Sequence, residues 1–195
     1  MTSMVNKNQT RYEAALVILV PEAEALVSSF REKYDPSAGK GMPAHITLNY
    51  PFNAYDPKRS AVLDELNQLF SNYPAFDFSL TRLGQFPGLL YLVPEPIQPF
   101  KQLIQTIAER YPDSPPYGGV FSEIVPHLTI AEVKDENRFK QIGIEFSISS
   151  KGQMPINACA SQIWLVETRE EIWVKRSAFE LSGKGKKVNR RSSII

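Results

Sequence analysis

The apolar and polar positions divide the chain into short alternating runs and longer helical stripes. AALVILVP (14–21) is a continuous apolar run closed by proline and predicts a buried strand. Leu26, Val27, Phe30 and Tyr34 recur at helical spacing and predict a helix over 22–34. DPSAGKGMP (35–43) has the composition of a loop, and HITLNYPF (45–52) alternates as a strand does. Val62, Leu63, Leu66, Leu69 and Phe70 form one stripe of a helix over 58–72, with Asp56 and Pro57 suited to its start. FDFSLTRL (76–83) and LLYLV (89–93) read as an antiparallel pair around a GQFPG turn (84–88).

A second set of elements follows. Phe100, Leu103, Ile104, Ile107 and Tyr111 predict a helix over 98–111, and PDSPPYGGV (112–120) a long loop. HLTIAEV (127–133) predicts a strand, 135–144 a weak helix with Asp135 as N-cap, and FSIS (146–149) a strand. SQIWLVET (161–168) and EIWVKRSAFEL (171–181) predict a hairpin. The order helix, loop, strand beginning with histidine, helix, strands occurs twice, which suggests a duplication. Adjacent strand pairs among helices indicate an α+β fold with antiparallel sheets.

The two histidines carry the candidate chemistry. Pro43-Ala44-His45-Ile46-Thr47-Leu48 and Pro126-His127-Leu128-Thr129-Ile130 share the pattern His-x-Thr-aliphatic. On a strand, residues i and i+2 share a face, so each segment presents an imidazole beside a hydroxyl with aliphatic residues behind. At average residue usage, the coincidence at both histidines is roughly a one-in-several-thousand accident. Two strands of this kind side by side suit phosphodiester cleavage. One ring deprotonates the attacking water, the other protonates the leaving oxygen, and the threonines donate to the non-bridging oxygens. An ordinary histidine pKa near 6.5 lets one ring be neutral and the other protonated.

This paired motif resembles the 2H phosphoesterase superfamily, the 2′-5′ RNA ligase and cyclic phosphodiesterase group, and the likeness covers about residues 14–181. The resemblance implies a bilobal α+β fold with pseudo-twofold duplicated lobes, antiparallel sheets flanked by helices and a central cleft. It also implies His45 and His127 as the catalytic pair, Thr47 and Thr129 as phosphate ligands, and hydrolysis without metal or nucleotide cofactor. The substrates so implied are 2′,3′-cyclic phosphate ends of RNA, 2′-5′ phosphodiesters or nucleotide cyclic phosphates, with reverse 2′-5′ ligation available to the same site. For a cyclic substrate, His127 is assigned as base and His45 as acid. A non-RNA cyclic phosphate such as an ADP-ribose derivative is a further candidate. A domain that binds RNA ends or nucleotides without turnover is the alternative from a different class.

One departure concerns charge. Some relatives carry an arginine soon after the second motif, where this chain has Glu132. Arg82, Lys40 and Arg169 are the candidate replacements. Tyr117 and Phe121, in the loop entering the second motif, are candidates for stacking on a base, alongside Arg82 as a substrate contact. Tyr50 and Phe52 share the parity of Ile46 and Leu48 and are expected in the core. Trp164 and Trp173 are expected in the core or on a sheet face.

Composition narrows the setting. Two histidines and one cysteine, Cys159, offer too few soft ligands for a zinc site, and nothing near Cys159 in the sequence activates a thiol. A single cysteine, no leader-like segment and no long apolar stretch suit a cytoplasmic, non-membrane protein, expected to be monomeric. Of 22 basic and 21 acidic residues, five basic ones (Lys184, Lys186, Lys187, Arg190 and Arg191) fall in the last twelve positions, leaving the body at −4. The expected organisation is a loose N-terminus (1–12), one bilobal domain (13–182) and a basic tail (183–195), whose charge suits RNA phosphates.

Overall fold

The computed structural model describes residues 12–56, 61–121 and 123–183. All but Gly183 of the expected basic tail (183–195) and most of the expected loose N-terminus (1–12) therefore lie outside the described residues. Tyr12 belongs to the ordered body: its hydroxyl donates to Glu167 Oε2 at 3.1 Å.

Among the described residues, eight strands form one antiparallel sheet. They are β1 (Ala14–Leu19), β2 (His45–Asn49), β3 (Phe76–Phe86), β4 (Leu89–Glu95), β5 (Leu128–Glu132), β6 (Ile156–Ala160), β7 (Gln162–Arg169) and β8 (Ile172–Glu180), in the order β6-β3-β4-β5-β2-β1-β7-β8. The halves meet where β5 lies beside β2, through the single registered pair Ile46–Leu128. About that joint, β1 and β2 correspond to β4 and β5. One half draws strands from both ends of the chain, β7 and β8 completing the half of β1 and β2, whereas β3 and β6 complete the half of β4 and β5 from the same middle stretch. The duplication read along the chain is thus present in space, but the two halves of the sheet are not the two halves of the chain.

Four α-helices of the described residues, α1 (Glu24–Tyr34), α2 (Ala61–Phe70), α3 (Gln98–Arg110) and α4 (Glu136–Ser149), accompany the sheet. α1 packs against β5 and α3 against β2, so each helix covers the central strand of the opposite half. Packing therefore reinforces a joint that has only a short hydrogen-bond ladder. Ile46, Leu128 and Ile130, with Phe100, Leu103 and Ile107 of α3, are all 0% exposed in the main core. Burying side chains of this size contributes about 1.5–3 kcal/mol each.

Two expectations are corrected, and one strand is unpredicted. FSIS (146–149) is the last turn of α4, because Phe139, Ile142 and Phe146 form a helical stripe whose last two members are fully buried. The strand-like alternation of the segment loses to that burial. INACA (156–160) forms β6, a strand that its small and polar residues do not announce. The turn expected at 84–88 is only Pro87-Gly88: β3 runs to Phe86, which pairs with Leu89, and Gly88 adopts φ +75 as a Pro-Gly turn requires. Asp135 caps α4 as expected, accepting from Arg138 N at 2.7 Å.

Candidate functional site at the β2–β5 joint

The alternation of each motif separates two faces. Ile46, Leu48, Leu128 and Ile130 are at most 1% exposed under the helices, while His45, Thr47, His127 and Thr129 stand partly exposed on the other face. Antiparallel pairing of Ile46 with Leu128 places Thr47 across from His127 and His45 across from Thr129. Two imidazoles and two hydroxyls therefore share one patch.

Both rings are held in the same way. His45 Nδ1 lies 2.8 Å from the Pro43 carbonyl, and His127 Nδ1 lies 2.7 Å from the Val125 carbonyl, each two residues upstream. A carbonyl only accepts, so Nδ1 carries the hydrogen and Nε2 is left as the working nitrogen of each ring. Burial pushes His45 down to about 4, assisted by the nearby Arg31 guanidinium and, more weakly, by His127. Burial also lowers His127. Arg31 is itself buried, paired with Asp35 at 3.0 Å and donating to the Met42 carbonyl at 3.1 Å. It thereby braces the 35–42 loop that forms one wall beside His45.

Each motif strand contains a β-bulge. The β1–β2 register shifts between Leu16 and Val17, so Leu48 and Asn49 both turn toward the helices and Tyr50 returns to the histidine face. The β4–β5 register shifts between Leu90 and Tyr91, so Ile130 and Ala131 both turn inward and Glu132 returns to the site face. Tyr50 and Glu132, each five residues after its histidine, are equivalent positions. The core placement expected for Tyr50 is therefore corrected: it lines the cleft, its hydroxyl donates to Glu13 Oε2 at 2.9 Å, and its ring meets Trp173 edge-on at 6.1 Å. Phe52 is in the core as expected, edge-on to Tyr111 at 5.2 Å.

The cleft beside His45 has a volume of about 270 Å³, and Thr47, Tyr50, Trp173, Lys40, Glu13 and Glu132 line it with His45. Of the candidate cations, Lys40 is in this lining. Arg82 is 66% exposed and faces Glu95 at 3.7 Å, and Arg169 pairs with Glu167 at 2.7 Å; neither lines the cleft.

Tyr117 enters from the 112–120 loop. Its side chain stands next to Thr47, and its N–H donates to the Tyr50 carbonyl at 2.5 Å. Tyr117, Gly118 and Gly119 are consecutive left-handed residues, and for the tyrosine (φ 52) this is a strained conformation held by those contacts. Phe121, 59% exposed, packs edge-on against Tyr117 at 5.6 Å and thus flanks the site.

An aromatic pair beside His127 is not anticipated by the sequence reading. Tyr91 lies 5.1 Å from the His127 ring and 4.7 Å from Phe86, centroid to centroid. Gly84, paired with Tyr91, makes room for it: a Cβ there would collide with Tyr91 Cε2 and lie 2.7 Å from Cζ. The G-x-F spacing of Gly84 and Phe86 is a usable signal for strand, but reading both residues as part of a turn hides it.

Among the described residues, no group of three His, Cys, Asp or Glu side chains is placed to share a metal ion. Nor is any described helix long and apolar enough to cross a membrane. Cys159 lies on β6, at the far edge of the sheet from β2 and β5. The geometry of the joint suits proton transfer through two ring nitrogens to and from one bound anion.

Comparison with known proteins places this geometry. The sequence matches the profile of the 2′-5′ RNA ligase superfamily over residues 19–171. A Bacillus licheniformis protein named "Putative phosphoesterase" is 24% identical over 132 residues, covering 65% of this chain and 75% of that protein. One of the same name from Geobacillus kaustophilus is 28% identical over 124 residues, covering 59% and 66%. Among solved structures, a Thermus thermophilus protein designated TT0787 superposes with a TM-score of 0.58 at 18% identity, covering 89% of this chain and 100% of that one. E. coli LigT complexed with 3′-AMP superposes with a TM-score of 0.55 at 14% identity, covering 87% and 97%. The structural likeness carries the fold, the sequence match carries the family, and the chain belongs to the 2′-5′ RNA ligase superfamily of 2H phosphoesterases.

Proposed function

We propose that the protein hydrolyses 2′,3′-cyclic phosphate ends of RNA or related 2′-5′ phosphodiesters, with His45 and His127 as the acid–base pair and no metal in the step. The observation that carries this reading is the Ile46–Leu128 register, which sets each imidazole across the joint from the other motif's threonine. The E. coli LigT structures with 3′-AMP and with NADP+ support a nucleotide as the ligand class.

His127 Nε2 removes a proton from water as the water oxygen bonds to phosphorus. The bond from phosphorus to one ribose oxygen breaks, and His45 Nε2–H supplies the proton that this oxygen needs. Thr47 and Thr129 hydroxyls donate to the non-bridging oxygens, where negative charge grows. Because burial keeps both rings short of protons in the free site, the bound phosphate anion must raise His45 to let it serve as acid. With a 5′-hydroxyl in place of the water, the same transfers open the cyclic phosphate at its 3′ oxygen and leave the two ends joined by a 2′-5′ bond.

Turnover of 2′,3′-cyclic AMP in EDTA tests the reading. Activity that survives chelation and is lost in both His45→Ala and His127→Ala is expected. Binding of the nucleotide without turnover by the wild type would instead make this a nucleotide-binding domain.

A further inference from the structure

We propose that Glu132 makes the site discriminate between phosphate charge states, admitting a singly charged diester and repelling the doubly charged monoester that hydrolysis produces. This rests on the phosphoesterase reading above and adds to it a determinant of specificity and product release.

The first observation is placement. Glu132 is the last residue of β5, and the bulge over Ile130 and Ala131 returns it to the face of His127 and Thr129. It lines the cleft that holds His45 and Thr47, so it stands in the half of the other motif's residues. Without the bulge, position 131 would face the phosphate and 132 would be buried.

The second observation is the charge balance around that phosphate. Carboxylates of Glu13, Asp35 and Glu132 line the cleft with the Lys40 ammonium. His45 and Tyr50 are the other titratable groups lining it, and His127 stands across the joint on the same sheet face. Asp35 is consumed by its neighbours: Arg31 pairs with it at 3.0 Å, and Ser37 donates to it from N at 2.9 Å and from Oγ at 2.8 Å. Glu13 accepts from Tyr50 at 2.9 Å. Glu132 makes no hydrogen bond or ion pair with another described side chain. Discounting the Arg31–Asp35 pair, two carboxylates face one ammonium in a cleft built for an anion.

Such a cleft separates anions by charge. A 2′,3′-cyclic phosphate carries one negative charge, whereas a phosphomonoester carries close to two above its second pKa of about 6. Coulomb repulsion scales with the ligand charge, so a fixed carboxylate penalises the product about twice as strongly as the substrate. The hydroxyls of Thr47 and Thr129 attract by hydrogen bonding, which discriminates less by charge. Glu132 is the carboxylate free to act in this way, since Glu13 is tied to Tyr50.

The test compares wild type with Glu132→Gln, a substitution at an exposed position that keeps size and shape. Calorimetry at low salt gives the affinities for adenosine 2′-monophosphate and 3′-monophosphate at pH 7.5 and pH 5.5, and steady-state kinetics gives KM for 2′,3′-cyclic AMP. At pH 7.5 the variant is expected to bind the monoesters about three- to tenfold more tightly, with a smaller change in KM. At pH 5.5, where the monoester is mostly a monoanion, that gain should shrink toward the factor seen for the cyclic substrate. Equal changes for monoester and cyclic substrate at both pH values, or weaker monoester binding in the variant, would overturn the proposal. Discrimination by charge in a wild type that shows no turnover would leave this inference standing and sink only the enzymatic reading.

Discussion

Ile46 of β2 and Leu128 of β5 are directly paired across the joint between the two halves of the sheet, and both are completely buried. Each sits between the histidine and threonine of its own motif. This apolar pair therefore sets the separation of the four polar groups on the opposite face. Leu128→Ala is expected to cost about 2–5 kcal/mol of stability, measured by urea denaturation. The folded fraction should also lose kcat more than KM, because small displacements of reacting groups act on the transition state. An unchanged kcat would mean that the joint does not position the rings.

Activity should peak on the acid side of an ordinary histidine. Burial lowers both rings, His45 to about 4, so the free protein bears one proton between them only below pH 6.5. The profile of kcat/KM against pH is expected to be a bell centred below 6.5, its apparent pKa values belonging to the pair. The profile of kcat should lie at higher pH, because the bound anion raises both rings. A kcat/KM maximum above pH 7 would contradict the burial argument.

Stability carries the same signature. The folded pKa of His45 lies below the unfolded value of about 6.5, so the unfolded chain binds more protons between pH 6.5 and 4. The contribution of His45 is fully present above pH 6.5 and is lost as the pH falls through that window. Substituting His45→Gln should flatten the loss of stability between pH 7 and 4, read from denaturation midpoints. An equally steep loss in the variant would assign the effect to other groups.

The acid and the base can be told apart by the leaving group. A nitrophenolate departs without protonation, whereas a ribose oxygen does not. His45→Ala should therefore recover much of its activity on bis(p-nitrophenyl) phosphate relative to 2′,3′-cyclic AMP, and His127→Ala should be impaired on both. The opposite pattern would exchange the two roles.

Gly84 should matter through Tyr91. A methyl group at Gly84 would collide with the Tyr91 ring, and that ring leans on His127 at 5.1 Å. Gly84→Ala is expected to lower kcat by about tenfold in an otherwise folded protein, and to have little further effect in a Tyr91→Ala background. Additive losses in that double-mutant cycle would place the action of Gly84 elsewhere.

What can be read from the chain depends on whether the signal is local. The helical stripe from Phe100 to Ile107 and the alternation around His45 and His127 are set by neighbours in sequence, and they are legible. Asp135 as an N-cap is legible for the same reason. FSIS (146–149) misleads because its aromatic and β-branched alternation is a strand signal, while the burial of Ile142 and Phe146 that makes it helical is tertiary. Tyr50 misleads because a bulge depends on the residue count of the partner strand, which one strand alone does not reveal. Glu132 gains its place by the same device. The pairing of β7 and β8 with β1 joins residues about 150 positions apart, as in Ala14 with Glu167, and no local pattern encodes it.

The most direct measurement is the rate of 2′,3′-cyclic AMP hydrolysis in EDTA for His45→Ala, His127→Ala and the double variant. Two rings serving one phosphate in one step should give non-additive losses: about a thousandfold or more for each single variant, and little more for the double. A single variant that keeps nearly full activity, or losses that simply multiply, would contradict a shared site.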